Sequence, residues 1–218
     1  LYFPGYNQMK SHPIVAQEQG GSWEIAFAAL AKKYGCGLTI GWAERDRDSI
    51  YNSASTFDQT GKKLAHFRKI QLWGKEEQAI FEFGNRYVTF ELAGIKIGLL
   101  ICYDVEFPQH VRALAQMGVK LILVPTANPA NFSVVNTTLV PARASENALT
   151  IVYTNYCGSD NGLSFCGQST IVGPVAQPIA SAGPSDEDFL IADLSSIKNI
   201  DTALLSTQLA DFRKVPTK

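Results

Sequence analysis

Cys102 closes an apolar run, Gly98-Leu99-Leu100-Ile101, and is followed at once by Tyr103-Asp104-Val105-Glu106-Phe107-Pro108. The run reads as a buried strand, and Phe107-Pro108 opens a helical pattern, so the sulfur stands at a sharp strand-to-helix turn. Such a turn exposes a nucleophile and lets the following backbone N–H groups face an oxyanion. The nearby helix N-terminus favours thiolate, the reactive form. An arbitrary cysteine is more often a small buried hydrophobe, and Cys36, Cys157 and Cys166 keep that reading.

A nucleophilic cysteine usually needs a base, most often histidine. The chain offers His12, His66 and His110, none in a distinctive context, which leaves a Cys-His pair open but poorly supported. The alternative lies in Phe67-Arg68-Lys69-Ile70-Gln71-Leu72-Trp73-Gly74-Lys75-Glu76-Glu77. Lys69 stands among aromatic and aliphatic neighbours, and an ammonium turned inward there requires a carboxylate partner. Composition alone favours a surface charge. Trp73 reads either as the wall of a small apolar pocket or as plain core. Asn128 follows a strand end, where ligand-facing loops lie, and equally suits a turn before Pro129.

These residues need elements to hold them. Residues 22–34 carry Trp23, Phe27, Leu30, Ala31 and Tyr34 at helical spacing, with Ser22 as N-cap and Gly35 as terminator. Residues 38–42 and 49–53 form a hairpin about a charged turn, and 87–91 with 96–101 form another about Ala93-Gly94. Pro108 at the first helical position and Gly118 past the last bracket a helix. Strands are expected at 119–125, 150–155, 169–172 and 189–193, with a short helix over 141–148. Helices mixed with hairpins predict one α/β layered sandwich rather than a doubly wound sheet. No dinucleotide or Walker loop is present.

Composition narrows the function classes. Apolar residues are 46% of the 218 and charged residues 18%, below the usual share of about 25%, so the chain is globular rather than disordered. A net charge of −1 offers no basic footprint for nucleic acid or an anionic membrane. No apolar run approaches the roughly 20 residues of a membrane helix. Four irregularly spaced cysteines indicate neither a zinc site nor a disulfide framework, so a reducing, cytoplasmic setting is expected. The opening Leu1-Tyr2-Phe3-Pro4-Gly5-Tyr6 lacks an initiator Met and reads as a protease-site scar or as the sequel to an upstream piece.

The Cys102 segment, Phe67-Arg68-Lys69-Ile70, Arg143-Ala144-Ser145-Glu146-Asn147 and Gly167-Gln168-Ser169-Thr170-Ile171-Val172-Gly173-Pro174 together resemble the nitrilase (carbon–nitrogen hydrolase) superfamily. Leu123-Val124-Pro125-Thr126-Ala127-Asn128 and Tyr153-Thr154-Asn155-Tyr156-Cys157-Gly158 are most similar to its aliphatic amidase branch, nearest the 5-aminovaleramidase-like amidases. The resemblance runs from Leu1 to about Arg213. It implies a four-layer αββα sandwich and a Glu-Lys-Cys triad, with no metal and no cofactor.

By that resemblance Cys102 is the nucleophile, and Lys69 stabilises the oxyanion with the Tyr103 backbone N–H. Glu77 matches a second, positioning glutamate, although Glu76 is adjacent. The Lys ammonium is expected to lower the thiol pKa and to stabilise charge in the transition state. The triad glutamate falls directly before Leu1, so an upstream strand-helix unit of roughly 40 residues is expected, and without it an exposed sheet edge and an incomplete site. Gln109, Ile70-Gln71 and Val175-Ala176-Gln177 depart from the family pattern. The implied reaction is hydrolysis of a small linear amide by water, releasing ammonia. N-carbamoyl and nitrile hydrolysis share the same residues, and a non-catalytic binding or assembly module is the alternative of another class. A homodimer or larger homo-oligomer is implied as well.

Overall fold

The computed structural model describes residues 1–195 and 200–216. After a short helix α1 (His12–Val15), helix α2 (Ser22–Tyr34) leads into strands β1 (Leu38–Asp46), β2 (Ser49–Phe57) and β3 (Lys63–Arg68). These form one antiparallel sheet. Asp46 pairs with Ser49, leaving the charged Arg47-Asp48 as a two-residue turn at the tip. Helix α3 (Gly74–Ile80) follows, then β4 (Thr89–Leu92) and β5 (Ile95–Leu99) joined at Ala93-Gly94, both in the left-handed region that this turn type requires.

Helix α4 (Pro108–Gln116), β6 (Leu121–Thr126), α5 (Val140–Glu146) and β7 (Thr150–Asn155) complete two crossovers. A two-strand ribbon of β8 (Ser159–Asp160) and β9 (Leu163–Ser164) precedes β10 (Thr170–Val172) and β11 (Pro178–Ser181), and α6 (Gln208–Asp211) comes last. The second sheet runs β11-β10-β7-β6-β5-β4, with β5, β6 and β7 parallel. Near-continuous apolar runs such as Leu121-Ile122-Leu123-Val124 suit parallel strands covered on both faces.

The expected four layers are present. Ala54, Ala65 and Phe67 of the first sheet share a core with Leu99, Ile122, Val124 and Ile151 of the second. Phe27 and Ala31 of α2 cover the outer side of the first sheet against Trp42 and Phe57. Val111, Leu114 and Ala144, from α4 and α5, belong to the core of the second. Gly98 lets α4 close on β5, since a Cβ there would meet Leu114 Cδ1 at 3.0 Å. Among the described residues no helix is long and apolar enough to cross a membrane.

Two expectations need correction. Ser22 is the first residue of α2 and not its cap; the N-cap is Gly21, and the Gln17 side-chain oxygen receives the Ser22 hydroxyl and the Trp23 N–H instead. Residues 189–193 form no strand. Phe189 is 85% exposed and Ile191 77%, so their alternation with polar residues marks a segment with no sheet face to cover.

Beneath α2, a polar network crosses the first sheet. Buried Glu44 accepts from Ser53, His66 and Arg68, while Glu24 accepts from Ser55 and Lys63. Burial alone would raise Glu44, but His66, Arg68 and Ser53 outweigh it and hold its carboxyl well below the usual range.

Candidate active site

β5 ends at Leu99, and the chain continues through Leu100 and Ile101 into a single 3-10 turn, Cys102–Glu106. Cys102 heads that turn with φ +49°. A non-glycine residue there is strained by about 1–2 kcal/mol, and the turn is held against that strain by Asp104. This buried carboxylate accepts the Ile101 N–H at 2.9 Å from one side. From the other it accepts the Ile70 and Gln71 N–H groups at 3.2 and 2.6 Å. One side chain thus binds the cysteine turn to the segment that follows Lys69. The cysteine side chain is half-buried.

Lys69 follows the last residue of β3, and its peptide is gripped on both sides. Its N–H donates to Asn52 and its carbonyl accepts from Gly84, at 2.8 and 2.7 Å. Gly84 must be glycine for that approach, because a Cβ would sit 2.1 Å from the Arg68 carbonyl oxygen. The ammonium points inward and donates to both oxygens of Glu77, at 2.9 and 2.7 Å, with neither side chain exposed. Glu77 lies on the inner face of α3 and also accepts the Trp73 N–H at 2.8 Å. Its neighbour Glu76 is exposed, so of the two glutamates it is Glu77 that pairs with Lys69.

Burial would lower the Lys69 pKa, but the charges of Glu77, Cys102 and Asp104 outweigh it, and the ammonium stays protonated. For Cys102 the balance goes the other way. Burial pushes the thiol up, as does the Glu77 charge, and Lys69 and the Ala127 N–H pull it down without prevailing. The lysine thus acts on the thiol in the expected direction, and burial, the largest influence, makes the net shift upward. Asp104 is pushed up to about 7 by burial, against the pull of Lys69 and its three N–H donors.

The structure brings Cys102, Lys69 and Glu77 to one place. Tyr103, next to the sulfur, is half-buried and sets its ring edge-on to Phe107 at 4.9 Å. Trp73, half-buried at the head of α3, meets Phe132 edge-on at 5.8 Å. Asn128 is only 4% exposed, and its amide donates to Phe132 O and Asn136 Oδ1, both at 2.9 Å. The histidines are engaged elsewhere: His12 with Tyr6 O, His66 with Glu44 and Ser55, His110 with Gln71 and Tyr87.

Sequence reasoning missed Asp104, the Ala127 N–H and Tyr6. The last is a buried phenol whose pKa burial and the Glu77 charge push up. Asp104 had a usable signal, an acid two residues past the candidate nucleophile. Tyr6 had none.

The carbon-nitrogen hydrolase family model matches residues 1–200. A Pseudomonas protegens protein described as a hydrolase in the pqqF 5' region is 37% identical over 216 residues, which is 98% of this chain and 75% of that protein. An (R)-stereoselective amidase of a Pseudomonas species is 36% identical over 163 residues, 74% of this chain and 59% of that enzyme. Among solved structures, a glutamate-to-glutamine variant of the amidase from Nesterenkonia sp. AN1 superimposes with a TM-score of 0.77 at 37% identity. The match covers 83% of this chain and 72% of that one. That structure shows acrylamide added at the active site cysteine.

Proposed function

The chain belongs to the carbon–nitrogen hydrolase family, and we propose that it hydrolyses a small linear carboxamide to carboxylate and ammonia through a thioester on Cys102. The observation that carries this reading is the strained cysteine turn set beside a buried, fully paired ammonium. The Cys102 sulfur attacks the amide carbon, and the carbonyl π pair moves onto oxygen. The Lys69 ammonium and the Tyr103 N–H receive that charge, a role worth several kcal/mol in a site shielded from water. Glu77 keeps Lys69 protonated and aimed.

Because the resting sulfur is a thiol, its proton must leave as the S–C bond forms, which calls for a general base. In this reading the base is the triad glutamate that the family resemblance places directly before Leu1. It passes the proton to the amide nitrogen, the C–N bond breaks, and ammonia departs. A water molecule, deprotonated by the same carboxylate, then attacks the thioester carbon and returns the thiol. In this reading Trp73, edge-on to Phe132, packs against the acyl chain of the substrate. A linear amide, rather than a carbamoyl compound or a nitrile, is favoured by the amidases among the relatives, one of which has been crystallised with butyramide. Pairing of two copies through the helical layers belongs to the same reading.

Ammonia release from butyramide and acrylamide by the native protein tests it, with Cys102→Ala as control. Carbon dioxide release from N-carbamoyl compounds in preference to amide hydrolysis would overturn the substrate class. Amide turnover retained by Cys102→Ala would overturn the mechanism.

A further inference from the structure

A cavity of about 450 Å³ lies away from the site described above, at the opposite ends of the parallel strands. Its wall includes Ile95, Leu121 and Thr150, the first residues of β5, β6 and β7, whereas Cys102 comes after the far end of β5. The whole of β5, roughly 13 Å at about 3.3 Å per residue, separates the two. The volume falls in the range of about 300–1,000 Å³ that small-molecule sites occupy.

Part of the wall is apolar. Leu121 and Leu149 belong to the core of the second sheet, and Leu194 packs against that core from the C-terminal segment. The rest is polar. Thr150 is 2% exposed, and its hydroxyl has no hydrogen-bond partner among the described residues. A buried hydroxyl left unbonded is costly, and an orphan of this kind calls for an occupant beside it.

Two cations share the wall with that hydroxyl. The Lys120 N–H donates to Lys96 O, and the Thr150 N–H to Lys120 O, each at 2.9 Å, so the three residues lie side by side across β5, β6 and β7. Neither ammonium forms an ion pair among the described residues. Glu91, opposite Lys96 on β4, is the acidic residue of the described wall, and two lysines against one glutamate leave a net positive charge.

We infer that this cavity binds a short aliphatic monocarboxylate. Its chain lies against Leu121, Leu149 and Leu194, and its carboxylate accepts from the Thr150 hydroxyl and the two lysines. An ionised carboxylate has acceptors only, which suits a wall with a spare hydroxyl and two unpaired ammonium groups. Hydrogen bonds to a charged group are also the stronger kind. Nothing in this inference depends on the role of Cys102.

The probe is hexanoate, titrated by calorimetry into the native protein, Thr150→Val and Lys96→Met, with hexanol as the uncharged control. The native protein should bind hexanoate saturably and hexanol at least about tenfold more weakly, and each substitution should weaken hexanoate by about tenfold. Thr150→Val should melt no lower than the native protein, because the hydroxyl it removes bonds to nothing in the fold. Hexanoate should leave the rate of Cys102 alkylation by iodoacetamide unchanged. Absence of saturable binding, equal binding of hexanol, or native affinity in both variants overturns the proposal. So does protection of Cys102 by hexanoate, which would place the acid at the cysteine instead. Should Thr150→Val fail to fold, the partly exposed Lys96→Met decides alone.

Discussion

Asp104 takes the Gln71 N–H at 2.6 Å, so the cysteine turn and the segment after Lys69 share one carboxylate. The relative placement of sulfur and ammonium, which come from different sheets, is thereby fixed by a side chain that touches neither reacting group in the hydrogen-bond network.

That carboxylate makes stability depend on pH. Asp104 titrates at about 7 when folded and near 3.8 when unfolded. Between those values the unfolded chain has released a proton that the folded chain keeps, so the contribution of Asp104 to stability falls as pH rises. Asp104→Asn removes the titration. The unfolding free energy of the native protein relative to this variant should decline from about pH 4 to about pH 7 and then level off, read by urea denaturation at each pH. A difference that is flat across the window contradicts the assignment.

Glu44 predicts the opposite slope. Its folded pKa lies below the unfolded value of 4.5, so its stabilising contribution is present above that pH and is lost as pH falls through the folded value. Glu44→Gln should cost about 3 kcal/mol at neutral pH, since it leaves Arg68 without its inner partner. The deficit should shrink steadily in acid, measured by denaturant melts between pH 7 and pH 3.

Glu77→Gln keeps the shape of the buried pair and removes one charge. Leaving Lys69 uncompensated should lower stability by about 3–5 kcal/mol and reduce amide turnover by at least about 100-fold through loss of the oriented ammonium. A variant with native melting behaviour and full turnover would mean that Lys69 needs no carboxylate.

At Cys102 the strained backbone can be read directly. Cys102→Ala and Cys102→Gly should both be inactive, yet the glycine variant should be the more stable by about 1 kcal/mol, because φ +49° costs glycine nothing. Thermal melts of the pair decide it. Alanine proving the more stable would show that the turn stores no strain.

Ala176 stands at φ +62° between β10 and β11, a backbone conformation that favours glycine. Ala176→Gly should raise the unfolding free energy by about 1 kcal/mol without changing turnover. A stability loss in urea would count against it.

Much of this arrangement was legible in the residues. The Ala93-Gly94 turn, the Pro108 start and the Gly118 stop are local signals, and each sits where local chemistry demands. Cys102 and Lys69 could be singled out together only because several motifs occur in order. What escaped depends on contacts distant in sequence. Asp104 finds its partners 33 and 34 residues away. The burial that opposes the lysine's pull on the thiol escaped for a related reason. A neighbouring lysine can be read from spacing, whereas the burial that outweighs it exists only once the layers close. Residues 189–193 misled because alternation states a preference for a sheet face without saying that one is available.

The sealed contact between Lys69 and Glu77 has one more implication. Dissolved ions weaken charges that they can surround, and here no solvent reaches either partner. Rising ionic strength should thus leave the Lys69–Glu77 pair as tight in brine as in dilute buffer.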